Sequence, residues 1–300
     1  MHDIKIGTLI SVGNVRKIMP KLIPYGFETF SITFWETIGD VDLEMLAKDV
    51  KSILAGTNCT ISSLSIFGNP IMDNEKGVAG REAFKRLIES AELFGTDMVT
   101  GFTGRIVDRP VPESIPKFKE VFTPLAELAL KKDVKIAFEN CNMDGDWKAG
   151  DWNIAFSPKA WELMFEAVPY ENIGLQWEPC HQMVQLCDPI PQLRKWADKI
   201  FSVHGKDATI AWDIVRESGI SGCEQFVWHR TPGFGDTNWT DVISILRMKG
   251  FKGSIDIEGW HDPVYKGELE YTGQVHALNY LKNCRGGELI PNFESEEVRI

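Results

Sequence analysis

Short apolar runs rich in β-branched residues alternate along the chain with segments whose apolar side chains recur at helical spacing. That alternation is the pattern of repeated strand–helix units. Strands are predicted at Ile4–Leu9, Thr29–Phe34, Ile61–Phe67, Met98–Phe102, Val134–Glu139, Ile173–Trp177, Ile200–His204 and Ser254–Glu258. Helices are predicted at Val15–Ile23, Leu43–Leu54, Gly80–Phe94, Ile115–Lys131 and Tyr265–Asn283, with a further one opening at Ser157-Pro158, where serine can cap and proline suits the first turn. In the second helix Leu43, Leu46, Ala47, Val50 and Leu54 make one apolar face.

Eight strands, each followed by a helical pattern, favour an α/β fold of one closed (β/α)8 barrel over an open sheet. A doubly wound sheet would want a glycine-rich phosphate loop after its first strand, and only Gly13 follows Gly7 there. Residues 1–285 read as one barrel domain without a linker, and the glutamate-rich stretch 286–300 as a peripheral tail. Two long segments interrupt the spacing, Cys141–Phe156 and Gly205–Asn238. Both follow strands at the end where barrel enzymes keep their sites, so they are expected to form substrate walls or lids.

Composition narrows the classes. With 43 acids against 32 bases the formal net charge is -11, and no dense Lys/Arg run tracks a phosphate backbone, which argues against nucleic acid as a partner. There is no 18-residue apolar run and no basic-then-apolar leader, so neither a membrane span nor a secretory signal is expected. The six cysteines lack CxxC spacing, which fits a reducing cytoplasm better than a disulfide framework or a structural zinc site. Ten tryptophans, several near polar residues in the second half, suit the C–H faces of sugars as well as ordinary packing.

Four consecutive predicted strands end on a ligand-type side chain: IAFE in Glu139, LQWE in Glu178, FSVH in His204 and IDIE in Glu258. Any one of these taken singly reads as a cap or an ion-pair partner. In a closed barrel the four ends form an arc around one mouth, and carboxylates gathered there repel one another unless a cation or proton intervenes. Three carboxylates and an imidazole are a hard, oxygen-rich set suited to Mn²⁺, Mg²⁺, Co²⁺ or Zn²⁺.

The order Glu, acid-Pro-x-His, VHxKD, PGxGxxxW and Glu resembles that of the xylose isomerase-like barrels called sugar phosphate isomerases/epimerases, which include ketose 3-epimerases, hydroxypyruvate isomerases and inosose dehydratases. The resemblance covers nearly the whole chain. It implies that Glu139, Glu178, His204 and Glu258 bind one divalent metal, often manganese, that Glu139 and Glu258 also form an acid/base pair, that His181 contacts substrate oxygens, and that Arg230 binds substrate. The family usually has Asp where this chain has Glu178, and the extra methylene implies rearranged or bidentate ligation. His229, Trp260 and His261 are further candidates for the pocket, whereas Lys206 and Asp207 are expected to orient His204 and the loop behind it. His2 and His276 read as peripheral.

Such an ion polarises a carbonyl and acidifies the neighbouring C–H. A carboxylate removes that proton, and where it is returned decides between epimerisation and aldose–ketose isomerisation. Loss of a β-substituent instead would make a lyase or deglycosidase of 3-keto glycosides, C-glycosides included, with a partner subunit allowed. A metal-dependent phosphodiester nuclease would need more than the six histidines present, and a sugar binder without chemistry would lose no turnover on Glu139→Gln or Glu258→Gln. The expected partner is a small sugar; a homo-oligomer or a small partner subunit is left open.

Overall fold

In the computed structural model of the chain, residues 3–259 and 261–290 are described. Eight parallel strands close a barrel: β1 (Lys5–Ser11), β2 (Thr29–Trp35), β3 (Thr60–Phe67), β4 (Met98–Gly101), β5 (Lys135–Glu139), β6 (Ile173–Trp177), β7 (Ile200–Gly205) and, after an excursion, β10 (Ser254–Ile257), which pairs with β1 to complete the ring. The helices that flank it are α1 (Val15–Leu22), α2 (Leu43–Leu54), α3 (Glu75–Phe94), α4 (Val111–Lys131), α5 (Pro158–Ala167), α6 (Cys180–Met183), α7 (Pro189–Trp196), α8 (Trp212–Ser218), α9 (Trp239–Met248) and α10 (Glu270–Cys284). Among the described residues no helix is long and apolar enough to cross a membrane.

The strands obey period-two alternation. Outward residues such as Ile32, Leu64, Ile136 and Ile255 join the helices in one apolar core. The inward positions below the mouth are polar and small: Ser31, Ser63, Ser65 and Thr100 share hydroxyl contacts of 2.6–3.4 Å, and Asp256 accepts from Thr29 and Ser254 at 2.7 Å. Gly7 leaves room for that carboxyl, since a Cβ there would lie 2.3 Å from Asp256 Oδ1.

Two predicted helix starts and one predicted cap are corrected by the chemistry of first turns. Helix α3 starts at Glu75, because Asn74 accepts a 2.8 Å bond from the Gly77 N–H, well before the expected Gly80. Helix α4 absorbs Val111 and Pro112, a residue well suited to a first turn, instead of waiting for Ile115. Ser157 makes no cap hydrogen bond, and its hydroxyl is buried without a partner, so Pro158 alone fits the start of α5. The long segment after β7 is not an irregular loop: β8 (Asp207–Ile210) and β9 (Val227–Arg230) pair antiparallel around α8. The expected tail falls outside the described residues from 291 onward, as do His2 and Trp260.

Candidate metal centre and cavity

Glu139 is the last residue of β5, Glu178 and Glu258 each follow a strand directly, and His204 lies one residue before the end of β7. Strand order places β6 and β7 between β5 and β10, so Glu139 and Glu258 approach from the two ends of an arc with Glu178 and His204 between them. One ligand atom from each of the four lies within 4.8 Å of all the others, and all four residues are buried. Glu178 therefore reaches the cluster in spite of its extra methylene. Its position is fixed by Asn140, whose side chain donates to the Glu178 carbonyl at 2.9 Å and accepts from the Glu178 N–H at 2.8 Å.

The electrostatics of the cluster would accommodate a cation. Burial, then the charges of Glu178 and Glu258, push Glu139 well above the ordinary carboxylate range. Burial also pushes Glu178 and Glu258 upward, but it is outweighed: His181 and Lys206 draw Glu178 down to about 2, and Lys206 and His204 hold Glu258 well below the usual value. Against three carboxylates stands one ammonium, Lys206, which keeps its proton because Glu258 and Glu178 outweigh its desolvation. A divalent cation would balance the remainder. His204 Nδ1 faces Glu139 Oε2 at 3.4 Å and Glu258 Oε2 at 3.2 Å, but neither contact is aligned as a hydrogen bond, and both ring nitrogens are buried without partners. Glu178 Oε1, 2.8 Å from His181 Nε2, is likewise unaligned. Spacing, charge and orphaned donor atoms together fit a hard cation.

Two members of the cluster, Glu139 and Glu258, line a cavity of about 630 Å³ at the C-terminal ends of the strands, and Glu178 and His204 are buried beside them. Another cavity, of about 550 Å³, opens at the opposite ends around Lys5, Thr60 and Lys135 and contains none of the four residues. His181, His229 and His261 line the first cavity, with ring centres 5.2 and 6.1 Å apart in that order. Burial, then the charge of Lys206, lowers His229 to about 3, so this imidazole is neutral at ordinary pH.

Other expectations need correcting. Lys206, placed behind His204 by sequence, instead reaches into the cavity and binds Glu258 Oε1 at 2.8 Å, because its position shares the inward parity of His204. Arg230 does not line the cavity: its guanidinium donates to Asp262 at 3.1 Å and lies over Phe234. Asp207 serves the loop and not His204. It accepts from Ala208 N–H, Thr237 N–H and Trp239 Nε1 at 2.8–3.0 Å, and a Cβ on Gly235 would lie 2.4 Å from its carboxyl carbon. This accounts physically for the KD and PGFGDTNW stretches as two halves of one brace. His276 is peripheral as expected: it is exposed, lies outside the cavity lining and stacks on Phe234 with ring centres 4.1 Å apart.

Sequence reasoning missed the opposite wall, which includes Thr33, Trp35, Phe67, Phe102 and Met143, and it missed Asn140 and Asn153. Asn153 Nδ2 donates to the carbonyls of Glu139 and Cys141 at 2.8 and 2.7 Å, tying the 141–156 segment to the end of β5. The available signal was the same one that located the acids, the inward parity of Phe67 and Thr33 at their strand ends.

The chain belongs to the family described as xylose isomerase-like TIM barrels, whose pattern matches residues 22–284. It is 28% identical over 186 residues to an inosose isomerase of Halalkalibacterium halodurans, spanning 61% of this chain and 60% of that protein. It is 22% identical over 226 residues to an inosose dehydratase of Clostridium tetani, spanning 71% of each. Among solved structures, a 3-keto-D-glucoside 4-epimerase from E. coli superposes with a TM-score of 0.69 at 15% identity, over 94% of this chain and all of that one.

Proposed function

We propose that the chain is a divalent-metal-dependent isomerase or epimerase of a keto-sugar or sugar derivative. Glu139, Glu178, His204 and Glu258 would hold the ion, most simply Mn²⁺, with Mg²⁺, Co²⁺ or Zn²⁺ compatible with the same donors. The observation that carries the reading is the convergence of three buried carboxylates and an unpartnered imidazole nitrogen, two of the carboxylates, Glu139 and Glu258, lining one cavity. Of the two curated relatives, the name of the inosose isomerase supports this reaction class, and that of the inosose dehydratase supports the lyase branch that would open with the same proton abstraction.

When bound, the ion would supply Lewis-acid polarisation of a substrate carbonyl. The chain's own residues do the rest. Glu139 and Glu258 stand at opposite ends of the ligand arc, so one carboxylate oxygen takes the proton from the carbon beside the carbonyl and the other carboxyl returns a proton to the opposite face. Return to the same carbon inverts it; return to its neighbour interconverts aldose and ketose. Lys206 holds Glu258 Oε1, and Asn140 holds the backbone of Glu178, so the groups enter the reaction already oriented. His181 and His229 line the wall where substrate hydroxyls need partners.

Two measurements test this together. The chain loaded with Mn²⁺ is expected to retain one ion and to incorporate solvent deuterium beside the carbonyl of a ketose it turns over. A chain that binds no divalent metal and exchanges no proton across a panel of ketoses would sink the proposal.

A further inference from the structure

The cavity has two unlike ends. Its polar floor carries Glu139, Glu258, Lys206 and three histidines, whereas Phe34, Trp35, Phe67, Phe102, Met143 and Val184 line most of the remainder, with Ser11, Thr33, Asn142 and Asp144 between them. Phe67, Phe102 and Cys141 form an apolar cluster of their own, separate from the barrel core, with Met143 and Trp152 packed on it. A volume of about 630 Å³ is in the range that encloses a drug-sized ligand. A small polyol bound at the floor would leave this apolar wall wet, which the hydrophobic effect disfavours.

The wall is also built under backbone constraint. Glu36, directly after Trp35, and the consecutive residues Met143 and Asp144 adopt left-handed φ values of 57, 47 and 58°, uncommon for Glu and Met and better tolerated by Asp. Each is held by its surroundings. The Glu36 N–H donates to the Phe67 carbonyl at 2.8 Å and its carboxylate holds Lys76 at 3.0 Å. The loop of Met143 and Asp144 is braced by Asn142 on the Gly145 carbonyl and by Arg105 on the Asp146 carbonyl, at 3.1 and 2.6 Å. The result is a tryptophan that lines the cavity while 57% exposed, its ring 5.6 Å from that of Trp152. Strain held at a cavity wall, together with an aromatic face left open to it, marks a surface kept for a ligand.

We infer that the substrate is a glycoside whose sugar sits at the polar floor and whose planar, apolar aglycone lies against the wall of Trp35, Phe67, Phe102 and Met143. The inference rests on the keto-sugar reading of the floor and narrows its substrate class from free sugars to aryl glycosides. It holds whether the glycosidic bond survives the reaction or not.

Calorimetric titration of the full chain loaded with Mn²⁺ tests it with matched methyl and p-nitrophenyl β-D-gluco-, galacto- and xylopyranosides, which lack a carbonyl and so bind without turnover. In the best-bound pair the p-nitrophenyl glycoside is expected to bind about tenfold tighter than the methyl glycoside. Trp35→Ala should remove that advantage while leaving the methyl glycoside within about twofold, and Trp35→Phe should restore most of it. Equal affinities in the wild type, or an advantage that survives Trp35→Ala, would overturn the aglycone subsite and leave the sugar reading standing. If no glycoside of either kind binds, the glycoside inference is overturned, while the keto-sugar reading stands or falls on metal retention and deuterium exchange with free ketoses.

Discussion

The two halves of the barrel mouth share one backbone plan and carry opposite chemistry. Strands β5, β6, β7 and β10 end in Glu139, Glu178, His204 and Glu258, while β1 to β4 present Leu9, Thr33, Phe67 and Phe102 to the same cavity. Both sets sit at inward positions of parallel strands, so the fold does not distinguish them; only the side chains do. The apolar half excludes water and lowers the local dielectric, which strengthens every charge interaction on the polar half. The same low dielectric makes the uncompensated acids costly, which is why Glu139 resists ionisation and why Lys206 is drawn inside. On this view the polar half performs the chemistry and the apolar half selects the substrate.

The sharpest test sets one residue from each half against the other. Glu139→Gln is expected to lower solvent deuterium exchange by roughly a thousandfold, in the range of a lost acid/base group. Phe102→Leu, on the other half, is expected to keep exchange within about tenfold. If the two variants lose exchange equally, the division between chemistry and selection is wrong. A second test removes the buried ammonium of Lys206. Lys206→Met leaves Glu258 without its 2.8 Å partner and should cost the metal-free protein about 3 kcal/mol in urea unfolding. Added Mn²⁺ should then recover more stability than in the wild type, because the acid cluster has lost its internal counter-charge. A metal-free variant as stable as the wild type would remove Lys206 from the charge balance.

The smallest effect concerns the brace behind the polar half. Burial raises Asp207 to about 6 in spite of its three hydrogen-bond donors. Its folded value lies above its unfolded one, so its contribution to stability is fully present below about pH 4 and is lost as pH rises through about 6. Across that window the wild type should lose about 2 kcal/mol relative to Asp207→Asn, read from urea midpoints at several pH values. Parallel pH profiles of the two proteins would show that the carboxyl is not held this way.

The barrel was legible because period-two runs and helical runs alternate eight times, and each predicted barrel strand lies within a few residues of an observed one. Boundaries shifted where a local cap, Asn74, or a first-turn proline, Pro112, outweighed the apolar pattern. The four convergent ligand-type side chains were legible for the same reason: a buried strand that stops on Glu or His announces itself. Lys206 was legible in principle, two residues past His204, but the general expectation that a residue beside a metal ligand orients it placed the lysine behind the histidine. Arg230 was not legible, because its partner Asp262 lies 32 positions away on another loop. The braced wall of Trp35 and Met143 was not legible either, since nothing in sequence marks a non-glycine residue that tertiary contacts force into a left-handed conformation.

The sequence by itself determined the repeat, the inward parity of each strand and hence which acids and imidazole would meet at one mouth, because alternation is a property of the extended backbone alone. Only the tertiary structure decided where the charges stand relative to one another and which face of the cavity stays apolar. Those depend on distances between strands and loops far apart in the chain, and an ion pair, an orphaned nitrogen or a strained turn exists only once those parts are packed together.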